Sequence, residues 1–259
     1  MHQTKISTMT QQKVALVTGG NRGIGKEIVK KLIEKGNAVI FTYRSNEKEA
    51  EDLIAEFEST GSRIKALKLD VSKMEEFESF SKSVNSILNE WQITGIDSLV
   101  NNAGIGFFVP FEEATVAQFD EMLNVHFKGP FFLTQKLLSS INDGASIVNI
   151  SSTATRVALP GFSVYAAMKS AMETVSLYQS KELGARKIRS NSILPGPVAT
   201  DFSGGAVRDI EDINSRISQQ HALGRVGLPT DIASAVAFLC GEDSAWIDGQ
   251  AIEVSGGYM

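Results

Sequence analysis

The stretch VALVTGGNRGIGKEI, residues 14–28, places a glycine-rich turn between a β-rich apolar run and a helical pattern. Glycines at positions 19, 23 and 25 follow the run VALVT closely. Glycine lets the backbone approach a pyrophosphate, and the N-terminus of a helix presents unpaired N–H groups and a favourable dipole. The spacing differs from the usual GxGxxG motif, so a glycine-rich turn without a ligand is the alternative. The position at a strand-to-helix junction favours a dinucleotide-binding loop.

Outward from this turn, the chain alternates short β-rich runs with longer segments of helical spacing. In the helix predicted over 23–35, Ile24, Ile28, Leu32 and Ile33 share one face. Further β-rich runs are NAVIFTY, RIKALKLD, DSLVNNAG, ASIVNISS, IRSNSILPG and QAIEVSGG. This alternation predicts an α/β fold with a doubly wound, Rossmann-type, mostly parallel sheet and helices on both faces. No linker or repeat interrupts the pattern, so residues 13–259 are predicted to form a single dinucleotide-binding domain.

Two segments differ from this pattern. Residues 1–12 are polar and lack the apolar stretch of a signal peptide, which predicts a flexible N-terminal tail. Residues 201–223 follow the turn LPGPVATD and are rich in small and polar side chains. Such a segment is more typical of a mobile lid than of a sheet element.

Composition narrows the classes of function. The net charge of −5 argues against a nucleic-acid partner, and no run approaches the roughly 20 apolar residues of a membrane span. Cys240 is the single cysteine, which rules out a disulfide framework and favours a reduced thiol in a cytoplasmic protein. The three histidines, His2, His126 and His221, lack metal-ligand spacing, so no metal site is expected. His126 is interpreted as a packed helix residue.

Five motifs occur in a fixed order along the chain. They are TGGNRGIG at 18–25, NNAG at 101–104, ISS at 150–152, YAAMK at 165–169 and LPGPVATD at 194–201. Together they resemble the short-chain dehydrogenase/reductase family, in particular single-domain members such as 3-oxoacyl-carrier-protein reductases, glucose dehydrogenases and ketoreductases. The resemblance implies an oxidoreductase that reduces a ketone or aldehyde to an alcohol, reversibly, with a nicotinamide cofactor.

The resemblance assigns catalytic roles to four residues. Tyr165 matches the proton donor, Lys169 the residue that lowers its pKa and binds the nicotinamide ribose, and Ser152 the group that binds the substrate carbonyl. Asn124 in LNVHFKG matches an asparagine that holds a water between the lysine and solvent. Taken singly, each has an ordinary interpretation, since a tyrosine and lysine four residues apart are usually a surface pair.

The chemistry asks for the same residue types. A free tyrosine has a pKa near 10, and each unit of depression needs about 1.4 kcal/mol of preferential stabilisation of the phenolate. Lys169 lies one turn after Tyr165 on the same helix, where its positive charge could supply that stabilisation. Ser152 could donate to the oxygen on which charge develops.

The resemblance also implies a set of cofactor contacts spread over the motifs. They are Gly19, Asn21, Arg22, Gly23, Ile24, Gly25, Arg44, Ser45, Asp70, Val71, Asn102, Ala103, Gly104, Tyr165, Lys169, Pro195, Gly196, Val198 and Thr200. Enzymes that use NAD place an acidic residue after the second strand, where this chain has Tyr43 followed by Arg44. Arg44 and Arg22 could pair with a 2′-phosphate, so NADP(H) is preferred, with NAD(H) as the alternative cofactor. The alternative for Arg44 is an ordinary solvated surface charge.

The expected substrate is a small-molecule carbonyl compound or alcohol. Predicted substrate contacts are Ser152, Ala154, Phe162, Tyr165 and Phe202, with Phe107, Phe108 and the rest of residues 154–162 as further wall residues. These side chains are mostly apolar and favour a hydrophobic ketone.

Two other functions remain open from the sequence. One is reduction of a 3-oxoacyl thioester on an acidic carrier protein, for which Lys128 and Arg186 are candidate basic contacts. The other is a non-catalytic NADP(H) sensor. Family resemblance further implies a homotetramer that buries residues 115–141 and 163–183.

Overall fold

The computed structural model describes residues 12–258, and these contain one seven-stranded sheet. The strands are β1 (Val14–Val17), β2 (Ala38–Tyr43), β3 (Ile64–Lys68), β4 (Ile96–Asn101), β5 (Ile141–Ile150), β6 (Arg189–Pro195) and β7 (Ala251–Val254). Their order is β3-β2-β1-β4-β5-β6-β7, and every neighbouring pair is parallel. The chain changes direction across the sheet between β1 and β4, where open α/β sheets form a ligand crevice.

Nine α-helices within residues 12–258 connect and cover these strands. They are α1 (Gly23–Glu34), α2 (Glu47–Glu58), α3 (Phe77–Trp91), α4 (Val116–Leu123), α5 (Gly129–Leu137), α6 (Ser163–Glu182), α7 (Ala206–Asp209), α8 (Glu211–Ser218) and α9 (Pro229–Cys240). A π-helical turn, Asn124–Lys128, joins α4 to α5. A widened turn of this type is frequent at functional sites.

The sheet has an apolar core on each face because successive side chains of a strand point to opposite sides. In β1, Val14 and Leu16 pack with side chains of α3 and α5, whereas Ala15 and Val17 pack with those of α1 and α9. All four residues of VALV are buried. A strand that is covered on both faces needs an apolar side chain at every position, which explains its continuous apolar sequence. The predicted doubly wound fold with helices on both faces is confirmed.

The amphipathic pattern of α1 also agrees with its packing. Ile28, Leu32 and Ile33 are buried against the sheet, while Ile24 at the first turn is only partly buried. Full burial of such a side chain stabilises the fold by about 1.5–3 kcal/mol. The packed face of α1 holds its first turn at the carboxyl edge of β1.

The predicted lid, residues 201–223, contains short helices and no sheet strand. A 3-10 turn, Phe202–Gly205, precedes α7 and α8. The guanidinium of Arg208 is paired with Asp201 and with Asp209, which ties the turn to α7. The mobility of this segment stays a prediction.

Residues at both chain ends fall outside the description. Of the predicted tail, only Gln12 is included, and its Nε2 donates to the Gly36 carbonyl at 3.0 Å. Among the helices formed by residues 12–258, none has both the length and the apolar character that crossing a bilayer requires.

Candidate active site

A cleft of about 670 Å³ lies at the carboxyl edge of the sheet. Every residue predicted to contact the cofactor, from Gly19 in the first loop to Thr200 after β6, lines this cleft. The volume is within the usual range of small-molecule sites. The structure therefore brings the predicted cofactor set together, while the contacts with a cofactor stay predictions.

The glycine loop is shaped by close backbone approaches. A Cβ added to Gly25 would lie 2.0 Å from the Gly19 carbonyl oxygen, so no side chain fits there. Asn102 Nδ2 donates to the carbonyl oxygens of Thr18 and Gly19 at 2.9 and 3.0 Å, which fastens the NNAG segment to the loop. The helix α1 begins here without a side-chain cap, because the preceding Arg22 makes no capping hydrogen bond. Uncapped N–H groups facing a cleft fit the pyrophosphate of a dinucleotide.

The end of β2 carries a tyrosine where an acidic residue would hold a ribose hydroxyl. Tyr43 is buried, its hydroxyl donates to Glu47 Oε1 at 3.0 Å, and it does not line the cleft. Asn21 in the glycine loop donates to Glu49 Oε2 at 2.6 Å, which joins the loop to the first turn of α2. Arg44, directly after Tyr43, is exposed at the rim of the cleft.

The arginines divide into two groups by their partners. Six guanidinium groups bind carboxylates or backbone carbonyls: Arg63, Arg156, Arg186, Arg189, Arg208 and Arg225. Within residues 12–258, the guanidinium groups of Arg22, Arg44 and Arg216 have no such partner, and all three line the cleft. Uncompensated guanidinium groups in a cleft favour an anionic ligand.

Three of the four predicted catalytic residues meet in this cleft. Ser152 follows β5, and Tyr165 and Lys169 lie one turn apart on α6. Lys169 Nζ donates to the Ile150 carbonyl oxygen at 2.7 Å and lies 5.6 Å from the centre of the Tyr165 ring. Ser152 Oγ accepts from the Ala154 N–H at 3.2 Å, and its side chain lies close enough to Tyr165 to affect the pKa of that phenol. This arrangement can place a donor pair at one substrate oxygen.

Burial controls the protonation of the catalytic pair. It raises the pKa of Tyr165 from 10.0 to about 12, although the nearby Ser152 side chain opposes the rise. It lowers the pKa of Lys169 from 10.5 to about 8. The sequence predicts a lowered tyrosine pKa, but here the lysine ammonium is bound to the Ile150 carbonyl and burial dominates. Tyr165 is therefore protonated and Lys169 positively charged at neutral pH.

Asn124, the fourth predicted catalytic residue, is not brought to the cleft. It begins the π-helical turn and is half-buried, and among residues 12–258 the cleft lining includes His126 but not Asn124. His126 is only 2% exposed, and its ring meets the Tyr165 ring edge-on with 5.2 Å between centroids. The predicted role of Asn124 stays a prediction, and the signal for His126, a buried polar residue beside the catalytic helix, exists only in the folded chain.

The substrate end of the cleft is largely apolar. Phe162 and Phe202 line it as predicted, with ring centres 6.2 and 5.8 Å from that of Tyr165. Ala154 is buried behind the lining, so it does not reach the cleft as predicted. Phe107 and Phe108 also lie outside the lining, and Phe108 is 66% exposed and packs on Phe162.

Several lining residues were missed by sequence reasoning. They include Arg216, Ile217, Gln220 and Tyr258, whereas Leu159 and Pro160 belong to the predicted wall range 154–162. None belongs to a motif, and they come from segments far apart in the chain. Only the fold, which brings α8 and the C-terminal segment over the cleft, identifies them.

Two further expectations concern a carrier-protein partner and a metal site. Arg186 Nε donates to Asp143 Oδ1 at 2.7 Å and its other nitrogens to the Leu138 and Ile141 carbonyls. Its expected contact with a carrier protein stays a prediction. Among residues 12–258, no group of three histidine, cysteine or acidic side chains has the arrangement of a metal site.

Known proteins similar to this chain cover nearly all of it. Residues 19–259 match a family model described as enoyl-(acyl carrier protein) reductase. A hydroxynaphthalene reductase-like protein, Arp2 of Metarhizium brunneum, is 36% identical over 256 residues, 95% of this chain and 94% of the relative.

Solved structures of similar proteins also superpose on nearly the whole chain. The angucycline C-6 ketoreductase LanV, crystallised with bound NADP, superposes with a TM-score of 0.89 at 37% identity and covers 95% of each chain. A short-chain dehydrogenase/reductase from Serratia marcescens gives a TM-score of 0.87 at 34% identity, over 95% of this chain and 98% of that one.

Proposed function

The chain belongs to the short-chain dehydrogenase/reductase family, and on that premise we propose that it reduces a hydrophobic ketone or aldehyde with NADPH. The observation that carries the proposal is the meeting of Ser152, Tyr165 and Lys169 in the same cleft as the glycine loop. Ser152, Tyr165 and Lys169 would bind and protonate a carbonyl oxygen, and the glycine loop would bind a dinucleotide. The reverse reaction, oxidation of the alcohol, uses the same groups.

Each catalytic side chain has a defined task in this proposal. The nicotinamide supplies a hydride to the carbonyl carbon when the cofactor is bound. Tyr165 donates its phenolic proton to the carbonyl oxygen, and Ser152 donates a hydrogen bond to the same oxygen while charge develops on it. The product is an alcohol, and the phenolate left on Tyr165 is stabilised by the ammonium of Lys169 until a proton returns.

The high pKa of Tyr165 favours the protonated phenol that donates the proton, but it disfavours the phenolate that remains after donation. A pKa of about 12 keeps the phenol protonated and ready to donate at neutral pH. Phenolate formation at that pKa costs about 1.4 kcal/mol for each unit above the working pH, so the lysine ammonium must approach the phenolate during turnover. Lys169, whose lowered pKa of about 8 still leaves it charged, is one helical turn away.

The proposed cofactor is NADP(H), with NAD(H) bound more weakly. The pyrophosphate would contact the N–H groups at the start of α1, and the 2′-phosphate would pair with Arg44 and Arg22. Support comes from the unpaired state of both guanidinium groups and from Tyr43, which stands in place of an acidic residue. The bound NADP of LanV agrees with this preference.

The proposed substrate is a hydrophobic ketone with a polar end. Phe162, Phe202 and Leu159 give the substrate end an apolar lining, whereas Arg216 and Gln220 on the lid side supply polar groups. An apolar body would pack against the phenylalanines with its carbonyl at Tyr165. The names of the similar proteins, a hydroxynaphthalene reductase-like protein and a ketoreductase, agree with such a substrate.

We also propose that the protein is a homo-oligomer. Phe119, Phe131 and Phe132 are exposed on α4 and α5, within the segments expected to be buried between subunits. Exposed phenylalanines grouped on neighbouring helices are typical of an interface. Sedimentation of the purified protein at equilibrium tests this, and a monomer would refute it.

The decisive experiment is a substrate panel with both cofactors. Hydrophobic ketones, aldehydes and 3-oxoacyl thioesters are incubated with NADPH and with NADH, and the loss of nicotinamide absorbance is followed. The proposal predicts the highest kcat/KM for a hydrophobic ketone with NADPH. Preference for thioesters on a carrier protein would favour the carrier-protein reductase, and tight NADPH binding without any turnover would indicate a sensor.

A further inference from the structure

Buried polar atoms without partners are concentrated beside the catalytic lysine. Within residues 12–258, three buried side-chain atoms lack a hydrogen-bond partner: Asn101 Oδ1, His126 Nδ1 and His221 Nε2. Asn101 and His126 line the same small cavity, together with Ile150 and Lys169. We call it the inner cavity. Its volume of about 10 Å³ is the space of a single water molecule.

The inner cavity adjoins the large cleft. Val125, His126, Ile150 and Lys169 line both spaces. Lys169 therefore lies between the site of proton donation, at Tyr165, and the inner cavity. A molecule in the inner cavity would lie beside the lysine.

The partnerless atom of Asn101 is a hydrogen-bond acceptor. Both N–H groups of its amide are used, since Nδ2 donates to Thr134 Oγ1 at 3.1 Å and to Asn149 Oδ1 at 2.8 Å. Asn149 Nδ2 in turn donates to Ser176 Oγ at 2.8 Å, which leaves Asn149 Oδ1 directed at Asn101. The carbonyl oxygen of Asn101 is therefore left with no donor from the protein.

The partnerless atom of His126 is an acceptor as well. Its Nε2 lies 2.7 Å from the Ile105 carbonyl oxygen and 3.3 Å from the Ile105 backbone nitrogen. A carbonyl oxygen can only accept, so the shorter contact assigns the proton to Nε2. The ring is neutral, since burial and then the charge of Lys169 lower the pKa of His126 well below its usual value. A neutral ring with the proton on Nε2 carries a lone pair on Nδ1.

We propose that the inner cavity binds one water molecule, which donates its two O–H groups to His126 Nδ1 and Asn101 Oδ1 and accepts from the ammonium of Lys169. Two acceptors cannot satisfy each other, but one water has two protons and can serve both. Lys169 Nζ already donates to the Ile150 carbonyl, so the water fixes a second N–H group. The third is then directed to the large cleft.

The bound water makes His126 a positioning residue for the catalytic pair. The ring supports Tyr165 through its edge-on contact, with planes at 89°, and orients Lys169 through the water. This function differs from that predicted for Asn124, because it depends on the side chain of His126 and on Asn101. His126 itself transfers no proton in this account.

The first test does not depend on activity. A crystal structure of the protein should show one ordered water within about 3.2 Å of both His126 Nδ1 and Asn101 Oδ1. In parallel, ¹⁵N NMR of labelled histidine, with His126→Phe used for assignment, should show a neutral ring protonated on Nε2. Absence of the water, or a proton on Nδ1, would overturn the proposal.

The second test rests on the proposed reductase function and uses a matched control. His126→Phe keeps an aromatic ring against Tyr165 but removes both nitrogens. His221→Phe makes the same change at another buried histidine, which also bonds a backbone carbonyl, at Ile217, and also packs on a tyrosine, Tyr258. His221 lies outside the inner cavity.

We expect His126→Phe to lower kcat about tenfold with KM values within twofold, and His221→Phe to change kcat less than twofold. Equal losses in the two variants would mean that His126 is merely structural and would overturn the proposal. If His126→Phe does not fold, the ordered water in the crystal structure of the wild type decides. If the wild type has no reductase activity, the proposed function fails, while the water site is still judged by the first test.

Discussion

The glycine loop, residues 18–25, and the catalytic cluster of Ser152, Tyr165 and Lys169 share one cleft but are built in different ways. The loop is contiguous in sequence, and its shape follows from sterics: Gly19 has a φ of +64°, and position 25 has no room for a Cβ. The cluster joins the end of β5 to α6, with His126 from the π-helical turn behind it. The first is fixed by backbone shape, and the second by burial of polar side chains.

This difference separates binding from chemistry. Backbone N–H groups at a helix start recognise a phosphate without any ionisable side chain. The cluster depends on ionisable groups whose pKa values burial has moved in opposite directions, upward for Tyr165 and downward for Lys169. Changes in the loop should therefore affect cofactor affinity, and changes in the cluster should affect turnover.

The largest expected effect is on turnover, from Tyr165→Phe. Loss of the phenolic proton should lower kcat about 10³-fold, as for removal of a general acid, while the Kd for NADPH changes less than twofold. Steady-state kinetics and fluorescence titration of NADPH measure the two quantities. Tyr178→Phe on the exposed face of α6 is the control and should retain wild-type kcat. Retained turnover in Tyr165→Phe would contradict the assignment of Tyr165 as the proton donor.

The next largest effect concerns binding and stability, from Gly25→Ala. The new methyl group would meet the Gly19 carbonyl and the Asn102 amide, so we expect a loss of about 3 kcal/mol in the free energy of unfolding and an NADPH Kd about 100-fold higher. Gly184→Ala, where no atom lies within 4 Å of the added Cβ, should change stability by less than about 0.5 kcal/mol. Denaturant unfolding and NADPH titration measure both variants. Wild-type affinity in Gly25→Ala would show that the loop does not bind the cofactor.

A smaller effect is expected on cofactor choice, from Arg44→Asp. Replacing the guanidinium with a carboxylate removes a charge-assisted contact of about 1.5–3 kcal/mol and adds repulsion to the 2′-phosphate. The ratio of kcat/KM for NADPH to that for NADH should fall about 100-fold. Arg44→Gln, which removes only the charge, should give about a tenfold fall. An unchanged ratio in Arg44→Asp would refute the assignment.

The smallest effect is on stability, from Lys169→Met. The folded pKa of about 8 lies below the unfolded value of 10.5, so the buried ammonium destabilises the fold fully below pH 8. Between pH 8 and 10.5, Lys169 binds more protons in the unfolded state than in the folded state. The free energy of unfolding of the wild type therefore rises with pH in this range. Removal of the buried charge stabilises the variant, and loss of the bond to the Ile150 carbonyl offsets part of this gain. The free energy of unfolding of the variant should be about 2 kcal/mol higher than that of the wild type at pH 7.

That advantage should shrink as the pH rises from 8 to 10.5. Urea unfolding of both proteins at a series of pH values measures it. A difference that does not depend on pH would mean that Lys169 is not buried as a cation.

The comparison also shows what sequence alone could predict. The seven strands, and the gathering of the predicted cofactor residues in one cleft, could be predicted because they follow local patterns: apolar runs, glycine spacing and residues that directly follow strands. Ala154, Phe107 and Phe108 were expected at the substrate wall but do not line the cleft, since their orientation depends on how the loops after β4 and β5 pack.

The electrostatics of the cluster were also beyond sequence reasoning. The direction of the Tyr165 pKa shift depends on burial of the ring, and the contact of His126 with Tyr165 depends on the π-helical turn. Neither property has a local signature in the chain.

The most direct test of the account follows the hydride itself. A hydrophobic ketone found in the panel is reduced with NADPH that carries deuterium at the transferred position, and the product is analysed by mass spectrometry. The account predicts an alcohol with one deuterium on the former carbonyl carbon in the wild type, and almost no alcohol with Tyr165→Phe. An unlabelled alcohol, or equal amounts of labelled alcohol from both proteins, would contradict it.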